Sequence, residues 1–450
     1  MKIKKPSVAG QFYDANAEQL AANIESYVVN TQKECNYDSR AIIVPHAGHK
    51  YSGALAAKCF RFLKKDLETL FVFAPAHRYA VETYALPTDD AWECPLGEIY
   101  LHQDYVKEVQ EMGGEFCDEA FINEHSLEVQ LPFIKQFMPE VNIVPVLIGG
   151  ADFHAVSNII SKYWDNENVG FVISSDLSHF RNKAEASRID SVTAEMIENN
   201  VCDNMQPEQA CGYKAICGIA DFAGQKNYSL IRVGMTDSSA VSGDETSVVG
   251  YGAWFLAEQE KTEFIKEKYG NILVQLAQLS VKSQLENVNF RVENFPKALE
   301  TKVATFVTLS IDGNLRGCIG TILGVEPLIV NVCKNARNAA FQDPRFAPVQ
   351  PNEYAKLDFS VSLLSRPQRI SFKDEQDLLE QLRPEVDGVI IKDIGRQSVY
   401  LPEVWKQLPD KTQFLTSLKQ KAGLAPDWFS DTFEAYRFTT AYIQQTTKIE

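Results

Sequence analysis

Several absences narrow the reading of these 450 residues. No run of about 18 apolar residues occurs, so no membrane-spanning helix and no membrane partner are expected. The basic start, MKIKKPSVAG, is not followed by an apolar segment of the secretory kind, and a cytoplasmic protein is expected. Positive charge is in deficit, with 44 basic against 60 acidic residues and a net charge of −16. Gripping a phosphate backbone needs a basic face, so no nucleic-acid partner is expected. The nine cysteines form no CxxC pair, which argues against a zinc knuckle or a disulfide framework. Most of them read as small buried hydrophobes. Histidine is scarce: there are seven, and none follows His179.

The length exceeds one ordinary core and suggests two domains. The clearest seam is AEQEKTEFIKEKYGN, residues 257 to 271, which is highly charged and follows the apolar run VVGYGAWFLA. A boundary near residue 260 divides the chain into 1–260 and 261–450. In the first part, AIIVP, LFVFAP, NIVPVLIG and GFVISS are apolar throughout, as strands covered on both faces are. Helical stretches such as AVSNIISKYW and DSVTAEMIEN lie between them, which predicts an α/β domain with a mostly parallel sheet. An earlier helix, with Leu20, Ile24 and Val28 on one stripe, has Asp14 or Asn16 as its candidate N-cap.

In such sheets, chemistry gathers outside the carboxyl ends of the strands. His46 follows AIIVP, His77 follows LFVFAP, and Asp176 and His179 follow GFVISS. Glu124, His125 and Glu128 sit together in NEHSLEVQLPF. Any one such histidine is more often a hydrogen-bonded structural group than a ligand. Their recurrence at equivalent positions points to a shared polar or metal site, because imidazole and carboxylate together suit a divalent transition metal. His102 and His154 read as surface or structural residues.

The stretches AGQFYDAN, IIVPHAGHKYSG, APAHR, NEHSLEVQLPF, VPVLIGG, ISSDLSHF and GDETSVVGYGAWF, in this order, resemble the Memo-like family. That family is similar in fold to the class III extradiol dioxygenases, which hold Fe(II) with two histidines and a carboxylate. The resemblance implies His46 and His77 as imidazole metal ligands. It implies His179 as acid/base, with His125 and Asp176 beside it. The family's third ligand, a cysteine or an acidic residue, falls near Ala240, which cannot bind a metal. Asp237 and Asp244 are the nearby substitutes, with Asp244 preferred, although it also suits a turn residue. The cofactor implied is Fe(II) or copper.

The second part reads as α+β. VATFVTLSIDGNLRGCIGTI suggests two strands joined at Asp312-Gly313-Asn314. Within it, LRGCIG holds Arg316 and Cys318, which would share a face on a regular strand. A guanidinium there would favour the thiolate. The alternative is a small packed cysteine, with Arg316 paired to a carboxylate elsewhere. Asp343 or Arg345 are candidates to face Arg316. These stretches, with NAAFQDPRFAPV and VYLPEVWKQLPDKTQFLTSLKQKAGL, resemble the AMMECR-type domain.

Memo-like and AMMECR-type proteins occur with a radical-SAM enzyme in the AmmeMemoRadiSam system. The resemblance therefore implies a metal-dependent, dioxygenase-like oxidoreductase of that system, with a radical-SAM protein as partner and a small molecule or peptide as ligand. The alternative is a non-catalytic accessory that binds ligand or protein. A hydrolase built on Cys318 is disfavoured, since no histidine follows residue 179 and only Asp343 or Glu403 remain as bases.

Overall fold

Four strands form the centre of the sheet in the first part of the chain: Ala41–Val44, Val169–Ser174, Thr69–Pro75 and Asn142–Ile148, side by side in that order. All three of their pairings are parallel. The strands flanking this centre pair with it antiparallel, Val248–Ala257 against Ala41–Val44 on one side and Tyr84–Leu86 against Asn142–Ile148 on the other. The computed structural model describes residues 1–29, 34–292 and 294–445. Nearly every residue of the four central strands is buried, as continuous apolar runs require when helices cover both faces. Helices Phe153–Tyr163 and Tyr213–Lys226 pack on one face, where Val156, Ile160, Ile216 and Phe222 meet Phe71, Phe171 and Trp164. Asn16 caps the first helix, Ala17–Ser26, by accepting from the Gln19 N–H at 2.9 Å.

The chain divides into two compact units, Met1–Lys261 and Thr262–Glu450. The charged seam is not an extended linker. The strand ends at Ala257, and a helix runs from Lys261 to Leu285. Its charged residues alternate with Phe264, Ile265, Tyr269 and Leu273, which are buried. High charge here marks the solvent face of an amphipathic helix.

The second unit is α+β. One four-stranded sheet runs Asn314–Gly320, Ala304–Ile311, Asp358–Leu364, Thr440–Gln444, and the other runs Gln368–Arg369, Glu434–Phe438, Gly388–Asp393, Arg396–Tyr400. Asp312 and Gly313 turn the first hairpin with φ of 52° and 78°, the left-handed values a two-residue hairpin turn demands. A separate apolar cluster centres on Trp405, stacked on Phe414 at 3.7 Å.

Candidate metal centre

The carboxyl ends of the central strands deliver the groups expected there. His46 lies two residues past Val44 and is 1% exposed. Its backbone N–H and that of Ala47 both donate to Asp176 Oδ1, at 2.7 and 3.2 Å. His77 lies two residues past Pro75, and its Nδ1 is 3.0 Å from Glu124 Oε1. The His46 and His77 ring centroids are 5.3 Å apart, and His125 lies 5.4 Å from the first and 5.0 Å from the second. Phe12 stacks on His125, with ring centroids 4.5 Å apart.

The third donor is one that reasoning from sequence missed. Cys211 Sγ lies 3.2 Å from His46 Nε2, and the ligand atoms of His46, His77 and Cys211 all lie within 4.8 Å of one another. Nitrogen and sulfur bound to one tetrahedral metal ion would be about 3.5 Å apart, given bond lengths of about 2.0–2.1 and 2.3 Å. The donor set therefore fits a soft or borderline divalent ion with little movement. Cys211 precedes helix Tyr213–Lys226, 165 residues from His46 in the chain. Gly212 makes the approach possible, because a Cβ there would sit 2.7 Å from Ser175 Cβ and 2.8 Å from Ser174 O. The Gly212 N–H also donates to Ser175 Oγ at 2.9 Å, docking the helix start on the strand end. The only hint in the sequence is a Cys-Gly pair at a helix start.

Asp244 is not brought to this cluster. It is exposed, and its Oδ1 accepts from the Thr246 N–H and hydroxyl at 2.8 and 2.6 Å, so it serves as a turn residue. Asp237 likewise caps Ser239 through its N–H and hydroxyl. Glu128 is structural: it is buried and accepts from Ser7 N, Val8 N, Tyr13 Oη and Lys4 Nζ. His49 begins helix His49–Phe60, with Nε2 2.9 Å from Val129 O and its ring 4.4 Å from that of Phe133. His102 caps helix Gln103–Glu111, and exposed His154 pairs with Asp152.

Burial governs the electrostatics. It pushes His46 well below the ordinary histidine range, helped by the nearby rings of His77, His125 and His179. Burial likewise lowers His125 to about 4 and lowers His179. Imidazoles kept neutral are the form that binds metals. Burial also works to raise the Glu124 carboxyl, but hydrogen bonds from His77 and Ser126 outweigh it and hold the group at about 2. An ionised Glu124 against His77 is the carboxylate–histidine arrangement that orients metal-bound imidazoles. Asp176 is raised to about 7 by burial, against the hydrogen bonds from His46 and Ala47. The Cys211 thiol is pushed up to about 12 by burial and by Asp176, so a cation is needed to displace its proton. His125 Nδ1 is buried and has no hydrogen-bond partner.

Two cavities meet this cluster, and Cys211 lines both. One, of about 290 Å³, is lined by His77, His179, Arg181, Pro207, Glu208 and Cys211. The other, of about 410 Å³, has Tyr79, Tyr213 and Lys214 among apolar residues such as Val81 and Ile148.

The second unit does not build the thiolate pair. The strand register slips between Leu309↔Gly317 and Ser310↔Leu315, which leaves Arg316 at a bulge. The same-face rule for i and i+2 fails at a bulge. Arg316 turns to Glu353, with Nε–Oε1 at 2.8 Å and Nη2–Oε2 at 3.1 Å. Asp343 does not face Arg316; it accepts from the Cys318 N–H at 2.8 Å and from Arg345 Nη2 at 2.7 Å. Burial raises the Cys318 thiol, which accepts from Thr308 Oγ1 at 3.2 Å.

A parallel-centred α/β sheet with metal-capable side chains at its carboxyl edge agrees with the extradiol dioxygenase-like fold that the family resemblance implies. The chain belongs to the Memo-like family, whose sequence profile matches residues 4–255, and residues 274–443 match the AMMECR1 profile. A MEMO1 family protein of Methanobrevibacter smithii is 30% identical over 280 residues, covering 56% of this chain and 98% of that protein. One of Archaeoglobus fulgidus is 30% identical over 263 residues, covering 55% and 97%. Among solved structures, an uncharacterized protein of Pyrococcus horikoshii is 31% identical, covering 38% of this chain and 89% of its own, with a TM-score of 0.36.

Proposed function

We propose that the first unit is a metal-dependent oxidoreductase centre, with His46, His77 and Cys211 as the protein ligands of one divalent transition metal. The observation that carries this reading is the approach of Cys211 Sγ to His46 Nε2 beside His77, with burial pushing His46 well below the ordinary histidine range. With three protein donors, a metal there would keep an open position and act as a Lewis acid on dioxygen or an oxyanion. Thiolate in place of carboxylate makes the set softer than the two-histidine–carboxylate triad, which suits copper as well as iron.

The surrounding residues would then divide the work. Glu124 orients His77, and Asp176 anchors the backbone at His46 and Ala47. His179 borders the smaller cavity beside His77 and Cys211, where a neutral imidazole can accept and return a proton. His125, whose buried Nδ1 lies 3.5 Å from Glu124 Oε1, is the second proton carrier. The larger cavity suits a small-molecule substrate.

The accessory reading drew support from a missing third ligand, and Cys211, offered here as that ligand, favours the metal-dependent reading. On the family resemblance we place the protein in the AmmeMemoRadiSam system, with a separate radical-SAM protein as its partner. Metal analysis of anaerobically purified protein tests the reading. The wild type and Asp244→Ala are expected to carry about one equivalent of iron or copper, and His46→Ala none. Equal metal in the wild type and His46→Ala would overturn it.

A further inference from the structure

Hydrogen-bond bookkeeping around His46 fixes more than its position. Ser174, the last residue of its strand, has its hydroxyl oxygen against three groups: His46 Nδ1 at 3.0 Å, Gln130 Nε2 at 2.8 Å and Ser126 O at 2.6 Å. A hydroxyl has one proton to give and two lone pairs. Ser126 O is a carbonyl and only accepts, so it takes the Ser174 proton. The orientation of the Gln130 amide is also determined. The same Nε2 lies 2.9 Å from Pro45 O, another pure acceptor, so the atom between Pro45 and Ser174 must be the NH₂ group. Gln130 therefore donates to Ser174. One lone pair remains on Ser174, and His46 Nδ1 can meet it only by donating an N–H.

We infer that Ser174, oriented by Gln130 and Ser126, is a positioning residue that locks His46 in the Nδ1–H tautomer and aims the Nε2 lone pair at Cys211 and His77. This rests on the metal reading for its purpose, though not for its geometry. The arrangement is held at a cost, since Gln130 Oε1 is buried without a hydrogen-bond partner. His77 is preset in the same sense: its Nδ1 lies 3.0 Å from Glu124 Oε1, and the Glu124 carboxyl otherwise accepts from the backbone N–H groups of His77 and Ser126, which leaves Nε2 of His77 to the site. Both devices come from one short segment. Glu124 holds His77, and Gln130 and Ser126 hold Ser174. Ser126 also donates from its hydroxyl to Pro75 O at 2.8 Å, just ahead of His77. A bare site with both lone pairs already aimed needs no ring flip or proton shift at either histidine when a cation arrives.

Nitrogen NMR of histidine-labelled, metal-free protein reads the tautomer directly, and Co(II) titration reads its consequence. In the wild type, His46 Nδ1 should carry the proton. In Ser174→Ala that preference should be lost, and Co(II) affinity should fall about 10–100-fold, the usual effect of removing such a support. Ser174→Thr, which keeps the hydroxyl, should restore both. A proton on Nε2 in the wild type overturns the inference without any variant. So does a Ser174→Ala protein that keeps the tautomer and the affinity. A wild type locked in the Nδ1–H form that binds no Co(II) would overturn the metal reading alone.

Discussion

At the scale of single residues, the protein separates histidines that gather at the candidate centre from histidines that hold the fold. Cys211 belongs with the first group. Cys211→Ser should leave the fold intact and remove the sulfur-to-metal charge-transfer band from the Co(II) spectrum; a band of unchanged intensity would assign the sulfur elsewhere. His49 belongs with the second group and gives a pH signature. Burial lowers it to about 4 from an ordinary value near 6.5. Its contribution is therefore complete above about pH 6.5 and is lost as the pH falls toward 4, where only the unfolded chain takes up the proton. The shift corresponds to roughly 3 kcal/mol. Urea unfolding from pH 7 to 4 should show a steeper loss for the wild type than for His49→Gln, and parallel curves would refute this. Buried Glu128 adds a loss of the same sign as the pH falls through its lowered value, but equally in both proteins. His46 and His49 are three positions apart in one motif; the end of the strand marks His46 for the rim, but nothing in the sequence shows what His49 packs against. The helix start at His49 turns its ring onto Phe133, and this depends on a helix some eighty residues away.

Among the elements, close approach decides function. Gly212 lets a helix start touch the end of strand Val169–Ser174, and that contact carries Cys211 to His46. Gly212→Ala should weaken Co(II) binding while leaving helix content by circular dichroism unchanged; unaltered affinity would show that the approach has slack. In the second unit, a Cβ on Gly317 would lie 2.1 Å from Ala339 O, in the backbone of helix Leu328–Phe341. Gly317→Ala should destabilise that unit by about 1–3 kcal/mol, the usual cost of overpacking. Calorimetry would check it, and an unshifted transition would contradict it. The glycines of LRGCIG thus have a packing explanation. The central strands were legible from their apolar runs, and the rim positions of His46, His77 and His179 from their places just beyond the strand ends. The bulge at Arg316 and the arrival of Cys211 were not, because each depends on a partner strand or helix distant in the chain.

For the whole molecule, every group of the candidate centre, from Phe12 to Cys211, lies in the unit Met1–Lys261. Relatives matched over 97–98% of their length span only 55–56% of this chain, so a Memo-like protein exists without the second unit. Residues 1–261 produced alone should therefore bind Co(II) as tightly as the full chain, and a marked loss of affinity would mean that the second unit helps build the site. The charge of −16 bears on partners and solubility and leaves the local chemistry to buried groups. The central claim is that one metal ion is held by two imidazoles and a thiolate. X-ray absorption at the edge of the bound metal tests it most directly. The account predicts one sulfur at about 2.3 Å and two imidazole nitrogens at about 2.0–2.1 Å, with the sulfur lost in Cys211→Ser. A first shell without sulfur in the wild type, or the same spectrum from His46→Ala, would contradict it.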